Sequence, residues 1–369
     1  MRIAVVTAAT NTIPRFRIDM IDEFVRRGAE VVVFGDESPG LWSEYFANHG
    51  ASYRVYTVFR NGINPFADLN TLNELYSLFK EEQPDKVFTY QAKPNIYGTL
   101  AAHKAGIDSV YVMMGGLGSV FRGTDVKSRV VGSIVGAEYK LALKHAKGVF
   151  FQNEEDVELF VSRRTIGRDK IVMTRGSGVN LTQYPCCPLP QSVSFLFVGR
   201  LVRGKGVVEY LDAARIIKSA HPEIEFHLVG PFDTNPTALK PNELKPYVDE
   251  GSVIYHGEQK NVQPYLEVSS CFVLPSYYGE GTPKSALEAM ATGRPLIVAN
   301  AVGCREVVHD GVNGFLVPPK DSNAIAEAME RFIVDRRLAA RMARSSRELA
   351  EEFFDVNKVN QTICNAMEI

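Results

Sequence analysis

Short runs of apolar, often β-branched residues recur along the chain between segments with helical periodicity. A first series of runs begins at Ile3, Val31, Tyr53, Lys86, Ser109, Gly148 and Lys170. A second series begins at Ser194, Glu225, Ser252, Cys271, Pro295 and Gly314. Because these runs are continuously apolar rather than alternating, they predict strands that are buried on both faces of parallel sheets. The pattern therefore predicts an α/β fold with two sheets.

The length of the chain and one proline-rich stretch predict the domain organisation. The chain has 369 residues, which fits two domains of about 150 to 200 residues each. Residues 183–192 contain three prolines that interrupt regular structure, and they are predicted to be the linker. This gives a first domain over 1–183 and a second over 192–353. Residues 354–369 have no strand left to pair with, and we expect them to join the first domain as a helix.

Composition excludes several classes of protein. The formal net charge is −2, which argues against a general nucleic-acid binder. The five cysteines show neither a CxxC pair nor zinc-ligand spacing, which is typical of a protein of the reduced cytosol. The amino terminus is predicted to be an inner strand rather than a secretory signal, and no run approaches the roughly 20 apolar residues of a membrane span. We expect a cytoplasmic protein that at most lies on a membrane surface.

The segment from Leu274 to Val298 carries the strongest indication of chemistry. A buried strand is predicted to end at Ser276, and a glycine-containing loop follows. Thr282 suits the N-cap of the next helix and Pro283 suits its first position. Exposed amides at such a helix start favour a phosphate, and parallel α/β sheets bind ligands beyond the carboxyl ends of their strands. The loop therefore predicts a phosphate-binding site.

Two carboxylates, Glu280 and Glu288, flank this helix start and are suited to accept hydrogen bonds from sugar or ribose hydroxyls. The alternative is that Glu280 is a solvated loop residue and Glu288 a surface charge. Most neighbours of Glu288 on the helix are apolar, however, and a glutamate on a buried helix needs a partner.

The stretch EGTPKSALE, which contains Glu280 and Glu288, resembles the E-x7-E signature of retaining glycosyltransferases of family four. Residues 198–207, VGRLVRGKGV, resemble the loop of that family that contacts the donor diphosphate. The resemblance extends over nearly the whole chain. It implies the GT-B fold, in which two Rossmann-like domains face each other across a cleft, and a hexosyltransferase activity.

The resemblance also implies roles for single residues. Arg200 and Lys205 would act in catalysis by contacting the diphosphate, and Glu280 would hold the transferred sugar. Glu288 would bind the ribose. The other donor-binding residues that the resemblance implies are Gly199, Gly281, Thr282, Pro283, Lys284 and, near the base, Val262. The simpler reading of Arg200 and Lys205 is surface basicity.

No D-x-D sequence occurs in the chain, so the carboxylate pair that holds a divalent metal in the other major transferase fold is missing. We therefore expect a metal-independent enzyme without a cofactor, in which cations and helix amides offset the charge of the diphosphate. In such retaining enzymes the acceptor attacks the face from which the diphosphate leaves, and the leaving phosphate takes its proton. No catalytic nucleophile is then required.

The first domain is expected to bind the acceptor. Residues 91–98 and 115–121 resemble a bacterial subgroup that extends polyprenyl-diphosphate-linked glycans in the assembly of surface polysaccharide or glycoprotein glycans. Ordinary strand-to-helix turns are the alternative. The acceptor-side residues implied are Thr7, Asn11, Lys93, Asn95, Gly116 and Gly118. The same resemblance implies a UDP-linked N-acetylhexosamine as donor, with N-acetylgalactosamine as the best candidate.

The segment Arg122–Lys147 combines basic residues with apolar ones. It is expected to lie on the inner face of the cell membrane, where a lipid-linked acceptor would be reached. The alternative is an ordinary amphipathic helix that packs on the sheet.

Other functions are less consistent with the sequence. A dehydrogenase would show G-x-G-x-x-G after its first strand, and this chain does not. A nucleotide-sugar epimerase of similar fold would not need an acceptor. Two further alternatives stay open: a transferase with another hexose donor and a soluble acceptor, and a non-catalytic subunit. A non-catalytic member would be expected to have lost one of Arg200, Lys205, Glu280 or Glu288, and all four are present.

Overall fold

The computed structural model describes residues 1–60, 62, 64–117, 121 and 126–369, and only the backbone of 127 and 128. The described chain divides into two compact units, Met1–Ser177 with Val356–Ile369, and Gly178–Asp355. Gly118 and Arg122 are not among these residues, so the predictions made for these two positions lie outside the described part of the chain.

The strands of the first unit are Arg2–Val6 (β1), Glu30–Gly35 (β2), Ala51–Val55 (β3), Lys86–Tyr90 (β4), Val110–Met113 (β5), Gly148–Phe151 (β6) and Ile171–Met173 (β7). Those of the second are Ser194–Val198 (β8), Glu225–Val229 (β9), Ile254–Tyr255 (β10), Cys271–Leu274 (β11), Leu296–Ala299 (β12) and Gly314–Val317 (β13). Every strand pair in both sheets is parallel within the described part of the chain.

The helices before the second unit are Ile13–Phe16 (α1), Ile18–Arg26 (α2), Pro39–Asn48 (α3), Pro65–Glu82 (α4), Thr99–Ala105 (α5), Val126–Leu143 (α6) and Glu154–Ser162 (α7). Those that follow are Val207–Ala220 (α8), Pro241–Asp249 (α9), Gln263–Glu267 (α10), Lys284–Ala291 (α11), Ser322–Val334 (α12), Arg336–Phe353 (α13) and Val356–Met367 (α14). A π-helical turn, Pro94–Gly98, precedes α5. Short 3-10 turns occur at Thr10–Thr12, Arg168–Lys170, Arg203–Lys205 and Arg305–Val307.

Each apolar run that the sequence analysis identified overlaps one strand of the described chain. The order in the first sheet is β3-β2-β1-β4-β5-β6-β7, and in the second it is β10-β9-β8-β11-β12-β13. Residues 3–6 of β1 are all fully buried, because helices cover both faces of a parallel sheet. The prediction of two parallel α/β sheets is confirmed.

The proline-rich stretch 183–192 is not the division between the units, so this prediction is corrected. The division lies before Gly178, and the stretch packs within the second unit. Tyr184 lies in its core, the Cys187 amide bonds to the Thr292 carbonyl at 3.1 Å, and the Arg294 guanidinium donates to the carbonyls of Cys187 and Pro188. Prolines interrupt a helix or strand, but an irregular segment whose carbonyls find donors still packs firmly.

The last helix, α14, belongs to the first unit. Its residues Val359, Ile363 and Met367 pack with Ile3 and Phe24 in one apolar cluster. The Lys86 ammonium donates to the Met367 carbonyl, and the Arg27 guanidinium donates to the Ile369 carbonyl at 2.9 Å. Side chains and carbonyls far apart in sequence therefore fix the helix on this sheet.

Candidate active site

Two neighbouring strands of the second sheet, β8 and β11, position the predicted donor-binding residues. They pair in parallel, so their carboxyl ends lie at the same edge. The loop 199–206 follows β8, and the loop 275–283 follows β11. The Tyr277 amide donates to the Gly204 carbonyl at 2.8 Å, which joins the two loops directly. The edge is the position at which parallel α/β sheets bind ligands.

Lys205 and Glu280 form an ion pair between these loops. The Lys205 Nζ lies 2.5 Å from Glu280 Oε1, and the side chains are 16% and 14% exposed. The Ser276 hydroxyl donates to the same carboxylate oxygen at 2.7 Å. Burial acts to raise the pKa of Glu280, but the charge and hydrogen bond of Lys205 outweigh it, so the pKa lies below its ordinary value. Glu280 is therefore an ionised hydrogen-bond acceptor at neutral pH.

Arg200 contributes a second cation at the same edge. Its guanidinium donates to Asp233 Oδ2 at 2.7 Å and lies 5.8 Å from the centroid of the Tyr278 ring. The side chain is 47% exposed, so the guanidinium keeps a solvent-accessible face beside its carboxylate partner. An arginine held in this way is suited to bind phosphate oxygens through charge-assisted hydrogen bonds.

Glycines allow the backbone segments of this edge to approach each other. Gly206 has φ of +75°, and a Cβ there would lie 2.3 Å from the Pro275 carbonyl oxygen. Gly303 has φ of +80°, and a Cβ there would lie 2.2 Å from the Gly281 oxygen and 2.4 Å from the Glu280 oxygen. Only glycine fits such positions without displacing the opposing backbone. Gly303 therefore supports the loop that carries Glu280.

The helix after this loop, α11, begins at Lys284 with Pro283 as its N-cap. The prediction of Thr282 as N-cap and Pro283 as first helical residue is therefore wrong by one position. The extended Pro283 (φ −65°, ψ 112°) accepts the first helical hydrogen bonds through its carbonyl, from Ala286 and Leu287. Proline has no amide hydrogen, and the N-cap position does not need one.

Other predicted donor-binding residues lie around this helix start. Glu288 is fully buried on α11, as the apolar surroundings in the sequence indicated. Thr282 and Lys284 are 9% and 8% exposed, and the Lys284 ammonium donates to the Gly178 carbonyl at 2.7 Å. Gly281 is buried in the loop that packs against Gly303. Lys284 thus fixes the start of the helix to the beginning of the second unit.

The loop 256–262, which the resemblance placed near the base, follows β10 and lies beside the end of β9, the neighbour of β8. The Gly199 amide donates to the Val229 carbonyl, and the Gly230 amide donates to the Gly257 carbonyl at 2.8 Å. Val262 is 5% exposed and is the N-cap of α10. His256 Nε2 lies 3.1 Å from His227 Nδ1, and burial lowers the pKa of both rings. Both imidazoles are neutral at pH 7 and suited to uncharged partners.

Some of the predicted acceptor-side residues of the first unit are buried, and others are exposed. Thr7 is fully buried, and its hydroxyl donates to Gln91 Oε1 at 3.1 Å, whereas Asn11 is exposed. Gly116 is exposed after β5, and the Lys93 ammonium pairs with Asp68.

Asn95 is buried inside the first unit, and its acceptor-side role stays a prediction. It is 1% exposed, accepts from the Thr89 hydroxyl at 2.9 Å and donates to the Met113 carbonyl at 2.9 Å. The carboxamide of Asn95 therefore uses both its donor and its acceptor inside the unit, and it links the ends of β4 and β5.

Four residues of the donor edge were not predicted: Asp233, Ser276, Tyr278 and Gly303. Each of them contacts a predicted residue, and these contacts join loops whose sequences show no periodicity. Ser276 and Tyr278 lie within the segment 274–298 that indicated the chemistry. The hydroxyl of Ser276, four residues before Glu280, is the one feature in the sequence that could have indicated a partner for this carboxylate. Among the described residues, no group of three or more His, Cys, Asp or Glu side chains is arranged to hold a metal ion.

Comparison with known proteins agrees with this geometry. Residues 16–175 match the family model described as glycosyl transferase 4-like domain, and residues 192–335 match the one described as glycosyl transferases group 1. An N,N'-diacetylbacillosaminyl-diphospho-undecaprenol alpha-1,3-N-acetylgalactosaminyltransferase of Campylobacter jejuni is 27% identical over 98% of this chain and 96% of its own. A UDP-Gal:alpha-D-GlcNAc-diphosphoundecaprenol alpha-1,3-galactosyltransferase of Escherichia coli is 28% identical over 87% of this chain and 85% of its own.

Solved structures share the fold. Sucrose-phosphate synthase from Thermosynechococcus elongatus superposes with a TM-score of 0.80 at 19% identity, over 100% of this chain and 98% of its own. The Anabaena protein HepE in complex with UDP has a TM-score of 0.78 at 18% identity, over 100% of both chains. The two matched family models together span most of the sequence. The match over residues 192–335 contains every strand of the second sheet, and the match over residues 16–175 contains the first sheet except β1. The chain is a glycosyltransferase with the GT-B fold, and is a hexosyltransferase.

Proposed function

We propose that this glycosyltransferase moves N-acetylgalactosamine, with retention of configuration and without a metal ion, from UDP-N-acetylgalactosamine to a polyprenyl-diphosphate-linked glycan. The observation that carries the proposal is the Lys205–Glu280 pair at the edge formed by β8 and β11. In this pair a cation suited to a diphosphate lies beside an ionised carboxylate suited to sugar hydroxyls. The reaction would serve the assembly of a bacterial surface polysaccharide or glycoprotein glycan.

The charges at this edge support a specific division of labour. Arg200 and Lys205, together with the amides at the start of α11, offset the negative charge that grows on the departing UDP. Glu280 accepts hydrogen bonds from the transferred sugar, and Glu288 from the ribose. The acceptor hydroxyl attacks from the face that UDP leaves, and a phosphate oxygen of UDP takes its proton. Because Glu280 is ionised and paired with Lys205, it orients the sugar rather than donating a proton.

The choice of substrates rests on the two relatives. The Campylobacter jejuni and Escherichia coli transferases named above both have a diphosphoundecaprenol-linked acceptor and an alpha-1,3 linkage in their names, and they differ in the sugar. The match to the N-acetylgalactosaminyltransferase covers more of both chains. Galactose from UDP-galactose is the second candidate for the donor.

The test is UDP release from a panel of UDP-sugars in EDTA, with a polyprenyl-diphosphate-linked sugar, a soluble sugar or no acceptor. We expect release only with UDP-N-acetylgalactosamine and the lipid-linked acceptor. If UDP-galactose is the one donor that supports release, galactose replaces N-acetylgalactosamine in the proposal. If release occurs with the soluble sugar, a soluble acceptor replaces the lipid-linked one. No release without added divalent metal, followed by release when it is supplied, would contradict metal independence.

We also propose that the first unit lies on the membrane through the outer face of α6. No described helix is long and apolar enough to cross a bilayer. Tyr139, Ala142 and Leu143 pack into the core, whereas the opposite face of α6 exposes apolar side chains. The exposed residues are Val126 (76%), Val130 (54%), Ile134 (43%) and Leu141 (52%). The helix therefore combines the packing role and the surface role that the sequence left as alternatives.

The neighbouring helix α4 strengthens this surface. Phe66 and Leu69 on α4 are 87% and 56% exposed. Both α4 and α6 contact the turn Pro94–Gly98, where the Tyr97 hydroxyl lies 3.1 Å from Asp68 Oδ2 and 2.8 Å from Glu138 Oε1. Of the basic residues in the predicted segment, Arg129, Lys140 and Lys144 are exposed, whereas Lys147 pairs with Glu368 at 2.9 Å.

Replacing Val130 and Ile134 together by serine is expected to weaken binding to anionic phospholipid vesicles by at least about tenfold, because two apolar side chains no longer enter the interface. Turnover of a short-chain, water-soluble acceptor should be kept. Co-sedimentation with vesicles measures the binding. Val334→Ser, which changes a 76% exposed residue of the second unit, is the matched control. Equal vesicle binding by all three proteins would contradict the proposal.

A further inference from the structure

Arg17 is a buried arginine whose side chain has no hydrogen-bonding partner among the described residues. It lies in the first unit between α1 and α2, and the residue is 5% exposed. The Nε atom is fully buried and has no partner. The guanidinium forms neither a hydrogen bond nor an ion pair with any residue that the structure describes. The one electrostatic contact described for the guanidinium is a cation–π contact with the Tyr90 ring, whose centroid lies 5.5 Å from the guanidinium carbon.

The position of Arg17 makes its charge costly. Burial lowers the pKa of Arg17 to about 10, so the guanidinium is still charged at neutral pH. Arg17 is also the N-cap of α2, where the partial positive charge of a helix disfavours a cation. Buried guanidinium groups are normally paired with carboxylates, and this one is compensated only by an aromatic ring. An anion bound from outside would supply the missing compensation.

The groups around Tyr90, whose ring Arg17 contacts, are hydrogen-bonding groups at a strand end. β1 and β4 are parallel neighbours, and Tyr90 is the last residue of β4. The Tyr90 hydroxyl lies 3.5 Å from the Thr12 hydroxyl, and Gln91 Oε1 accepts from the Ala8 amide at 2.8 Å. Gln91 itself has φ of +75°, a conformation that non-glycine residues rarely adopt and that occurs at functional sites. The carboxyl edge of this sheet is therefore built around polar groups and a cation.

We propose that Arg17 binds the diphosphate of the lipid-linked acceptor and so positions the acceptor on the first unit. A phosphate group combines the negative charge that Arg17 lacks with several oxygens for nearby donors. The donor diphosphate has its own cations, Arg200 and Lys205, in the second unit. The identity of the ligand rests on the proposed function, whereas the need for an anion rests on Arg17 alone.

The test compares Arg17→Gln with Arg26→Gln, a control that removes a 71% exposed arginine from the same helix. For Arg17→Gln we expect the KM for the polyprenyl-diphosphate-linked acceptor to rise about 10- to 100-fold, the range of a lost charge-assisted hydrogen bond. The KM for the UDP-sugar should stay within about twofold. The melting temperature should stay unchanged or rise, because an unpaired buried charge is removed. Arg17→Lys should recover part of the acceptor affinity.

A second measurement separates this inference from the proposed function. Binding of farnesyl diphosphate to the chain saturated with UDP is measured by calorimetry, which requires no turnover. Binding by the native chain that is lost in Arg17→Gln and kept in Arg26→Gln would support the anion site even if the proposed acceptor were wrong. Equal binding by both variants, or an equal loss of donor and acceptor affinity with a lower melting temperature, would overturn it.

Discussion

Replacing Lys205 by methionine is expected to lower kcat by about 100- to 1000-fold, the cost of removing one preorganised donor from a developing negative charge. Methionine keeps the length and much of the apolar stem of the side chain while removing its ammonium group. The loss should appear in kcat as well as in kcat/KM for the donor, because the charge on the diphosphate grows as the sugar leaves. Steady-state UDP release with a saturating acceptor measures it.

The same substitution is expected to destabilise the second unit by about 1–3 kcal/mol, because it leaves the buried Glu280 carboxylate with the Ser276 hydroxyl alone. In the native chain the lowered pKa of Glu280 contributes stability that is present above the ordinary glutamate pKa and is lost as the pH falls through the folded-state value. Adding Glu280→Gln to Lys205→Met removes the unpaired charge, so stability should recover while turnover does not. Recovery of turnover together with stability would show that Lys205 acts only by folding the loop.

The second large expected effect is a difference between variants of Glu280, which should lose turnover, and variants of Glu288, which should lose donor binding. Glu280→Gln should lower kcat by about 100-fold with donor affinity within about threefold, because the amide keeps the size but not the charge that orients the sugar. Glu288→Ala should instead weaken UDP-sugar binding by about 10- to 100-fold, the range of lost hydrogen bonds to a charged group. Calorimetric titration with the UDP-sugar and single-turnover kinetics separate the two quantities.

Glu288 is fully buried on α11, so the alanine variant also creates a cavity. Glu288→Gln keeps the volume and serves as the matched control, and its melting temperature shows whether the helix is intact. An equal loss of donor binding in the variants at both positions would contradict the division between sugar and ribose.

The strands were predictable because both faces of a parallel sheet are buried. Residues 271–274 of β11 illustrate this, since all four are apolar and fully buried. The clustering of Arg200, Lys205 and Glu280 at one edge of the second sheet was predictable for a related reason. These residues stand on two short contiguous stretches, at the ends of β8 and β11, so the motif and the strand end coincide in the sequence.

The remaining parts depend on contacts that a linear pattern does not contain. Gly303 is needed because the backbone of residues 280 and 281 passes over it, and Asp233 matters because it meets Arg200 across a loop. The proline-rich stretch 183–192 was taken as a linker because its carbonyl partners, such as the Arg294 side chain, are about one hundred residues away. The internal hydrogen bond of Asn95 could not be predicted for the same reason, since its partner at residue 113 is not a sequence neighbour. The segment Thr7 to Arg17 was expected on the acceptor side, but the sequence does not show that Arg17 is buried without a side-chain partner.

The attachment of α14 to the first sheet has a consequence for biosynthesis. The apolar cluster that contains Ile3 and Phe24 is completed only by residues at the other end of the chain, such as Ile363 and Met367. The whole second unit is translated between Ser177 and Val356, which takes roughly 10 to 40 seconds at ribosomal rates. During this interval the nascent first unit exposes the apolar surface that α14 later covers. Although it is translated first, the first unit is therefore completed last, and we expect its nascent form to be a substrate of chaperones.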